Sequence, residues 1–191
     1  MNVGQLFRRV HLPPHTMSRS QVAESAFSFL HMELVQQTLG ALQVAGDGVP
    51  TTSQLQHASR KIEAIGFQVG LRLVERYTKD RPRFADTLEI IKFVCKDFWV
   101  EVYRKQIDKL QTNNRGVYML QDNSHPVLTR CSPSVARQAS AKQMAALHIK
   151  FPSGLIRGAL SGLGVIASVS AEVSELPRCQ FTIRIQQQTS T

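Results

Sequence analysis

The sequence has few cysteines and no long apolar segment. Its 191 residues include only three cysteines, Cys95, Cys131 and Cys179, which lie far apart. An odd, sparse set of cysteines offers no disulfide framework and is typical of a reducing compartment. No apolar run approaches the roughly 18 residues that a membrane-spanning helix requires. These absences argue against a disulfide-stabilised secreted domain and against an integral membrane protein.

Catalytic and cofactor motifs are also missing. The chain has no P-loop, G-x-S-x-G, HExxH or EF-hand pattern. The segment from Gly162 to Ala167 spells G-x-G-x-x-A, but it follows a predicted helix and enters a predicted strand, the reverse of a dinucleotide site. His11 and His15 are four apart in a proline-broken segment without a third ligand nearby. We therefore predict a protein that is not an enzyme and has no catalytic, cofactor-binding or metal site.

Acidic residues are absent from two stretches of a chain whose net charge is +9. Residues 1–23 hold three arginines and no acid, and residues 123–171 hold five basic residues and no acid. Nucleic acid is not predicted as a partner, because Phe151 is the only phenylalanine, tyrosine or tryptophan in the second stretch that could stack on bases. That stretch instead predicts contact with an anionic surface such as a membrane. The candidate contact residues are Arg130, Arg137, Lys142, Lys150 and Arg157.

Helical periodicity fills most of the first half of the chain. A first helix is predicted from about Gln21 to Leu42, a second from Thr52 or Ser53, and a third from Phe84 to Leu110. The second helix has two apolar stripes, so it must be covered on two sides: one by its own core and one by a partner chain. Gly66 and Gly70 allow close helix approach within the chain or between chains.

The second half changes to the period of strands. Predicted strands run from Val117 to Gln121, Val127 to Arg130, Val165 to Val173 and Cys179 to Gln186, with a helix from Gly154 to Leu163 between the pairs. The order α-α-α-β-β-α-β-β predicts an α+β fold, in which helices cover one face of a four-stranded antiparallel sheet. We assign one domain to residues 21–187, a flexible N-terminal tail to 1–20 and a short C-terminal tail to 188–191.

Several segments resemble one protein family. Gly66-Phe-Gln-Val-Gly70 through Arg76 resembles the second-helix motif of the TRAPP (transport protein particle) small-subunit family, and Ile90 to Val100 continues it. Residues 106–123, with Gly116-Val-Tyr118 and Leu120-Gln-Asp-Asn123, are similar to the subunit-six (thirty-three-kilodalton) branch. Gly154 to Gly164 is similar to its late helix. The resemblance covers roughly Glu24 to Ile185, and the Trp99 helix with its hairpin is its most specific part.

The resemblance implies a role in membrane traffic. It implies a cytoplasmic complex, peripheral to Golgi or ER–Golgi intermediate membranes, that tethers vesicles and acts as a Rab guanine-nucleotide-exchange factor. Members of this branch pair with the core paralogue that carries an acylated cysteine, through their first two helices. Other TRAPP small subunits, and indirectly a Rab GTPase, are therefore the expected partners. The interface candidates that this implies are Phe27, Leu30, Leu34, Ile62, Ile65, Val69 and Leu73.

Two features depart from the family pattern, and one alternative stays open. Residues 131–150 are polar, basic and longer than the family pattern, and residues 1–20 are an addition. None of the three cysteines matches the acylated position of the core paralogue, so we do not predict acylation here. The alternative is a stand-alone sensor domain on a related fold, which would bind a lipid or small molecule in an apolar cavity under its helices.

Overall fold

A computed structural model describes residues 24–43, 51–113, 115–131 and 138–186. The predicted tails at 1–20 and 188–191, and Arg137, lie outside the described residues. The helices are α1 Glu24–Gln43, α2 Thr52–Thr78, α3 Thr87–Phe93, a π-helical segment Val94–Phe98, α4 Trp99–Tyr103, α5 Pro126–Thr129, α6 Gln138–His148 and α7 Lys150–Gly162. The strands are β1 Lys109–Thr112, β2 Val117–Asp122, β3 Ala167–Glu175 and β4 Arg178–Ile185.

The four strands form one antiparallel sheet in the order β1-β2-β4-β3. Alternation decides which face is covered, because successive side chains of a strand point to opposite faces. In β4, Cys179, Phe181 and Ile183 are buried against the helices, while their neighbours are more exposed. The predicted α+β fold, with helices on one face of a four-stranded antiparallel sheet, is confirmed.

The first hairpin differs from its prediction. The third helix was expected to reach Leu110, but it ends at Tyr103, because Arg104 has a left-handed backbone (φ 58°) that reverses the chain. Lys109–Thr112 is therefore the strand that pairs with β2. The predicted return strand Val127 to Arg130 is wrong: this segment falls in α5 and its C-cap. Pro126 occupies the first turn of α5, and the Nδ1 atom of His125 caps it by accepting the Val127 N–H at 3.3 Å.

One helix begins where it was expected, and another begins earlier. Helix α2 begins at Thr52 and is capped by Thr51, whose hydroxyl accepts the Gln54 N–H while the Gln54 side chain accepts the Thr51 N–H, which is a capping box. The late helix was expected from Gly154 to Leu163, but α7 begins at Lys150. Pro152 therefore lies within its first turn, where proline is tolerated.

Glycines bring α2 and α7 into backbone contact. A Cβ atom on Gly66 or Gly70 would overlap carbonyl oxygens of α7, and one on Gly154 or Gly158 would overlap carbonyl oxygens of α2. All four glycines are buried. The close approach expected of Gly66 and Gly70 is therefore made within the chain, by a matching glycine pair on α7.

One buried ion pair joins the third helix to the sheet. Asp122, at the end of β2, is completely buried and accepts hydrogen bonds from Trp99 Nε1 at 3.3 Å, the Lys105 ammonium and the Ser124 N–H. The π-helical segment adds a second link, because the Cys95 carbonyl accepts the Ile107 N–H at 3.0 Å. These contacts fix the Trp99 helix against the first hairpin.

Candidate interaction surface

Helix α1 presents a row of large apolar side chains to solvent. Its inner side packs on the core through His31, Val35, Thr38 and Leu39, all less than 9% exposed. Its outer side carries exposed apolar residues, and with Glu33 and Gln36 they line a shallow open groove. Neighbouring exposed side chains of this size typically mark a protein interface. They are Phe29 (65% exposed), Leu30 (68%) and Met32 (40%).

Helix α2 adds a second, smaller apolar patch. Val69 is 37% exposed, and Ile65 and Leu73 are half-buried. The glycine face of the same helix is occupied by α7, so only the other side can meet a partner. Since α1 contacts α2, one pair of touching helices carries both patches.

The structure separates the seven predicted interface residues into three groups. Leu30 and Val69 are exposed. Phe27, Leu34, Ile65 and Leu73 are half-buried and pack against the core. Ile62 is completely buried in this chain, so its side chain is unavailable to a partner in this conformation. Sequence reasoning missed Phe29 and Met32, whose spacing with Gln36 (i, i+3, i+7) would have indicated a second face of α1.

The predicted anionic-surface residues do not all remain free. Arg157 is engaged within the chain: its Nε donates to Glu63 Oε1 at 3.0 Å, and its guanidinium lies 4.4 Å from the centre of the Phe67 ring. Arg130 and Lys142 are exposed, and Lys150 is half-buried. An anionic contact through these three residues stays a prediction.

Three histidines are buried around the base of α1. His31 stacks on His148 of α6, with ring centroids 5.3 Å apart and an interplanar angle of 19°. His125 packs against both Trp99 and Tyr103, with ring centroids 5.8 Å and 4.7 Å away. Neither ring nitrogen of His31 makes a well-formed hydrogen bond to a described residue, although the His148 backbone lies near enough to favour its protonated form weakly. The cluster therefore holds uncharged imidazoles in an apolar setting.

Burial sets the charge state of these rings. It lowers the pKa of His31 to about 3, helped by the nearby His148 and His125. It lowers the pKa of His125 to about 3 as well, helped by Lys105, and lowers the pKa of His148. A group whose pKa is lower in the folded chain stabilises the fold above its unfolded pKa, near 6.5, and that stability is lost as the pH falls.

The free energy of unfolding should therefore fall between pH 7.5 and pH 5.5. His31 and His125 each contribute a loss of about 1.4 kcal/mol over this range, so we expect about 3 kcal/mol together, with His148 acting in the same direction. Urea unfolding at the two pH values measures it. His31→Phe should remove about 1.4 kcal/mol of the loss. Equal pH dependence in the variant and the parent chain would contradict this assignment.

The cysteine thiols have no reactive setting. Burial raises the pKa of Cys95 to about 12 and raises that of Cys179 further, so both thiols stay protonated. Cys131 is half-buried, its pKa is also raised by burial, and its Sγ donates to the Val127 carbonyl at 3.4 Å.

Among the described residues there is no group of three or more metal-ligating side chains. None of the described helices combines the length and hydropathy needed to cross a bilayer.

The chain is similar to subunits of one trafficking complex. A model of the transport protein particle (TRAPP) component family matches residues 27–186. Trafficking protein particle complex subunit 6b of Danio rerio is 45% identical over 163 residues, 85% of this chain and 97% of that protein. Human subunit 6B is 44% identical with the same coverage, and bovine subunit 6A is 42% identical over 84% of this chain and 95% of that protein.

A solved structure shares the fold at low identity. Subunit 3 of the trafficking protein particle complex from Naegleria fowleri, crystallised covalently bound to palmitic acid, superposes with a TM-score of 0.64 and 12% identity, covering 86% of this chain and 98% of that chain. The family model spans most of the chain, and relatives in the subunit-six branch reach 36–45% identity. The chain therefore belongs to the TRAPP component family, in its subunit-six branch.

Proposed function

We propose that this chain is a non-catalytic scaffold subunit of the TRAPP vesicle-tethering and Rab guanine-nucleotide-exchange complex. It acts by forming a heterodimer with the acylated-type core paralogue, through the outer sides of α1 and α2. The observation that carries this proposal is the exposure of Phe29, Leu30 and Met32 along α1. The complex acts on the cytoplasmic side of Golgi or ER–Golgi intermediate membranes.

The energetics of α1 support a partner on this surface. The helix buries only one side in its own chain, and its other side exposes three large apolar residues in little more than one turn. Covering a leucine, methionine or phenylalanine side chain contributes about 1.5–3 kcal/mol, so covering these three favours association strongly. Side chains of this kind, at the centre of an interface, supply most of the affinity in measured complexes.

The division of labour between paralogues also supports the proposal. The solved relative that carries palmitic acid is a subunit-three protein, and it has the same fold. In this chain burial keeps Cys95 and Cys179 protonated and also raises the pKa of the half-buried Cys131, which supports assigning the acyl group to the paralogue. The scaffold contributes shape and contact area to the exchange factor, and no group of this chain enters the nucleotide site of the Rab protein.

The sensor alternative gains no support from the described part of the chain. The concavities along α1 and at Lys105–Asp108 are open grooves, not enclosed cavities. The space between α2 and α7 is filled by backbone contact.

Leu30→Asp should weaken the heterodimer. The substitution removes an apolar contact and places a carboxylate in the covered surface, which costs about 3 kcal/mol or more, and this corresponds to at least about 100-fold in Kd. The affinity is measured by titrating the chain into the purified core paralogue. The free chain should keep its stability, because Leu30 is 68% exposed there.

The control replaces an exposed apolar residue elsewhere. Ile166, just before β3, is 49% exposed and lies outside α1 and α2, so Ile166→Asp should leave Kd unchanged within about two-fold. If Leu30→Asp binds the paralogue as tightly as the parent chain, the proposed interface is wrong.

A further inference from the structure

The exposed line of α2 changes from apolar to basic along its length. Ile65, Val69, Arg72 and Arg76 follow the spacing i, i+4, i+7, i+11, so they lie on one side of the helix. Ala58 starts the same line and is completely buried, whereas Val69, Arg72 and Arg76 are exposed. The open part of this line is therefore an apolar residue followed by two arginines.

No described residue forms an ion pair with either arginine. The four ion pairs made among the described residues use Arg81, Lys105 and Arg157 as cations, and neither Arg72 nor Arg76 takes part. Glu75 lies between them in sequence, but it accepts no hydrogen bond from either. Among the described residues, the two guanidinium groups beside the apolar patch of α2 therefore have no carboxylate partner, in a chain of net charge +9.

Helix α1 has the opposite character. Residues 24–43 contain no lysine or arginine, and their outer side carries Glu33, Gln36 and Gln37. An amphipathic helix that lies on a membrane carries basic residues beside its apolar face. Among the described residues, the most exposed large apolar side chains are Phe29 and Leu30, and α1 offers them no basic neighbour, which favours a protein partner over a lipid surface for α1.

We propose that the partner of the α1–α2 surface presents carboxylates opposite Arg72 and Arg76, and that these two arginines steer and orient the heterodimer. This inference rests on the proposed function and specifies the chemistry of the partner surface. The planar guanidinium group suits two-point binding of a carboxylate. Charges at the edge of an interface act mainly on the association rate, because they attract the partner before contact.

Stopped-flow association with the acylated-type core paralogue tests the proposal. For the parent chain the association rate constant should fall at least about ten-fold between 50 mM and 500 mM NaCl, since added salt screens the attraction. Arg72→Glu with Arg76→Glu should associate at least about ten-fold more slowly at low salt and lose most of that salt dependence. The dissociation rate constant should change less than the association rate constant.

A matched double variant controls for total charge. Arg115 and Arg184 are exposed at the turn between β1 and β2 and on β4, away from α1 and α2. Arg115→Glu with Arg184→Glu changes the net charge equally and should leave the association rate constant within about three-fold of the parent value. An equal loss in both double variants would overturn the proposal, because net charge alone would then explain it.

The outcomes separate this inference from the proposed function. If Leu30→Asp abolishes binding but Arg72→Glu with Arg76→Glu associates at the parent rate, the interface stands and the acidic partner surface is wrong. If that double variant instead loses binding to phosphatidylserine-containing vesicles while pairing normally, the arginines serve a membrane, and the proposal is overturned. If the parent chain does not bind the paralogue, both proposals fail.

Discussion

Gly158→Ala should lower the free energy of unfolding by about 3 kcal/mol or more, although alanine is the better helix former by about 1 kcal/mol. The added Cβ would overlap the Phe67 carbonyl oxygen and come within 2.9 Å of the Leu71 N atom, both backbone atoms of α2. Rotamer changes cannot relieve an overlap with backbone, so α2 and α7 must move apart. For a domain of this size we expect a fall in Tm of about 6–12 °C, measured by circular dichroism or calorimetry.

Gly40→Ala is the matched control for this substitution. Gly40 lies in α1, and a Cβ there would meet no described atom within 4 Å. The helix propensity of alanine should therefore act alone and stabilise the chain by about 0.5–1 kcal/mol. A Gly158→Ala variant as stable as Gly40→Ala would show that α2 and α7 are not in backbone contact.

Asp122→Ala should lower the free energy of unfolding by about 3–5 kcal/mol. The carboxylate is completely buried and accepts hydrogen bonds from the Trp99 indole, the Lys105 ammonium and the Ser124 N–H. Its removal leaves the buried indole N–H without this acceptor and the Lys105 charge without its buried counter-ion. The lower part of the range is expected, because Lys105 also contacts Asp108 at 3.1 Å and its side chain is 23% exposed. Urea unfolding at pH 7.5 measures the change.

Asp97→Ala is the control. Asp97 lies in the π-helical segment just before Trp99 and pairs with Arg81, but its side chain is 35% exposed. A pair this open to solvent contributes about 0–1 kcal/mol. Similar losses for Asp97→Ala and Asp122→Ala would contradict a special role for burial at Asp122.

Periodicity predicted the layers of the fold well. The alternation of Cys179, Phe181 and Ile183 with polar neighbours gave β4 and its buried face, because a strand that is covered on one side must alternate. The second helix was predicted to be covered on two sides, and α7 covers its glycine side. Covering of the other side by a partner chain stays a prediction. The sequence could not assign the glycine side to α7, because glycine spacing is the same within a chain and between chains.

Local backbone choices were harder to predict. The sequence around Arg104 contains no pattern that predicts its left-handed backbone. The helical periodicity therefore predicted a helix that continues to Leu110. Four-residue strands such as β1 and single helical turns such as α5 are too short to show a period.

The interface shows a similar limit. Leu30 and Ile62 both fit an apolar stripe, yet Leu30 is 68% exposed and Ile62 completely buried. An apolar stripe shows that one face of a helix is apolar. It does not show whether that face packs against the same chain or against a partner. That information comes from the tertiary packing of α1, whose inner side uses His31 and Thr38 in place of larger apolar residues.

Native mass spectrometry after coexpression with the acylated-type core paralogue tests the central claim most directly. This chain has a mass of 21.4 kDa, and a one-to-one heterodimer has the summed mass of the two different chains, which identifies it against the monomers and homodimers. We predict that the one-to-one species dominates and that Leu30→Asp returns both chains to separate species. A spectrum in which the parent chain is a folded monomer and the paralogue is unbound would contradict the account.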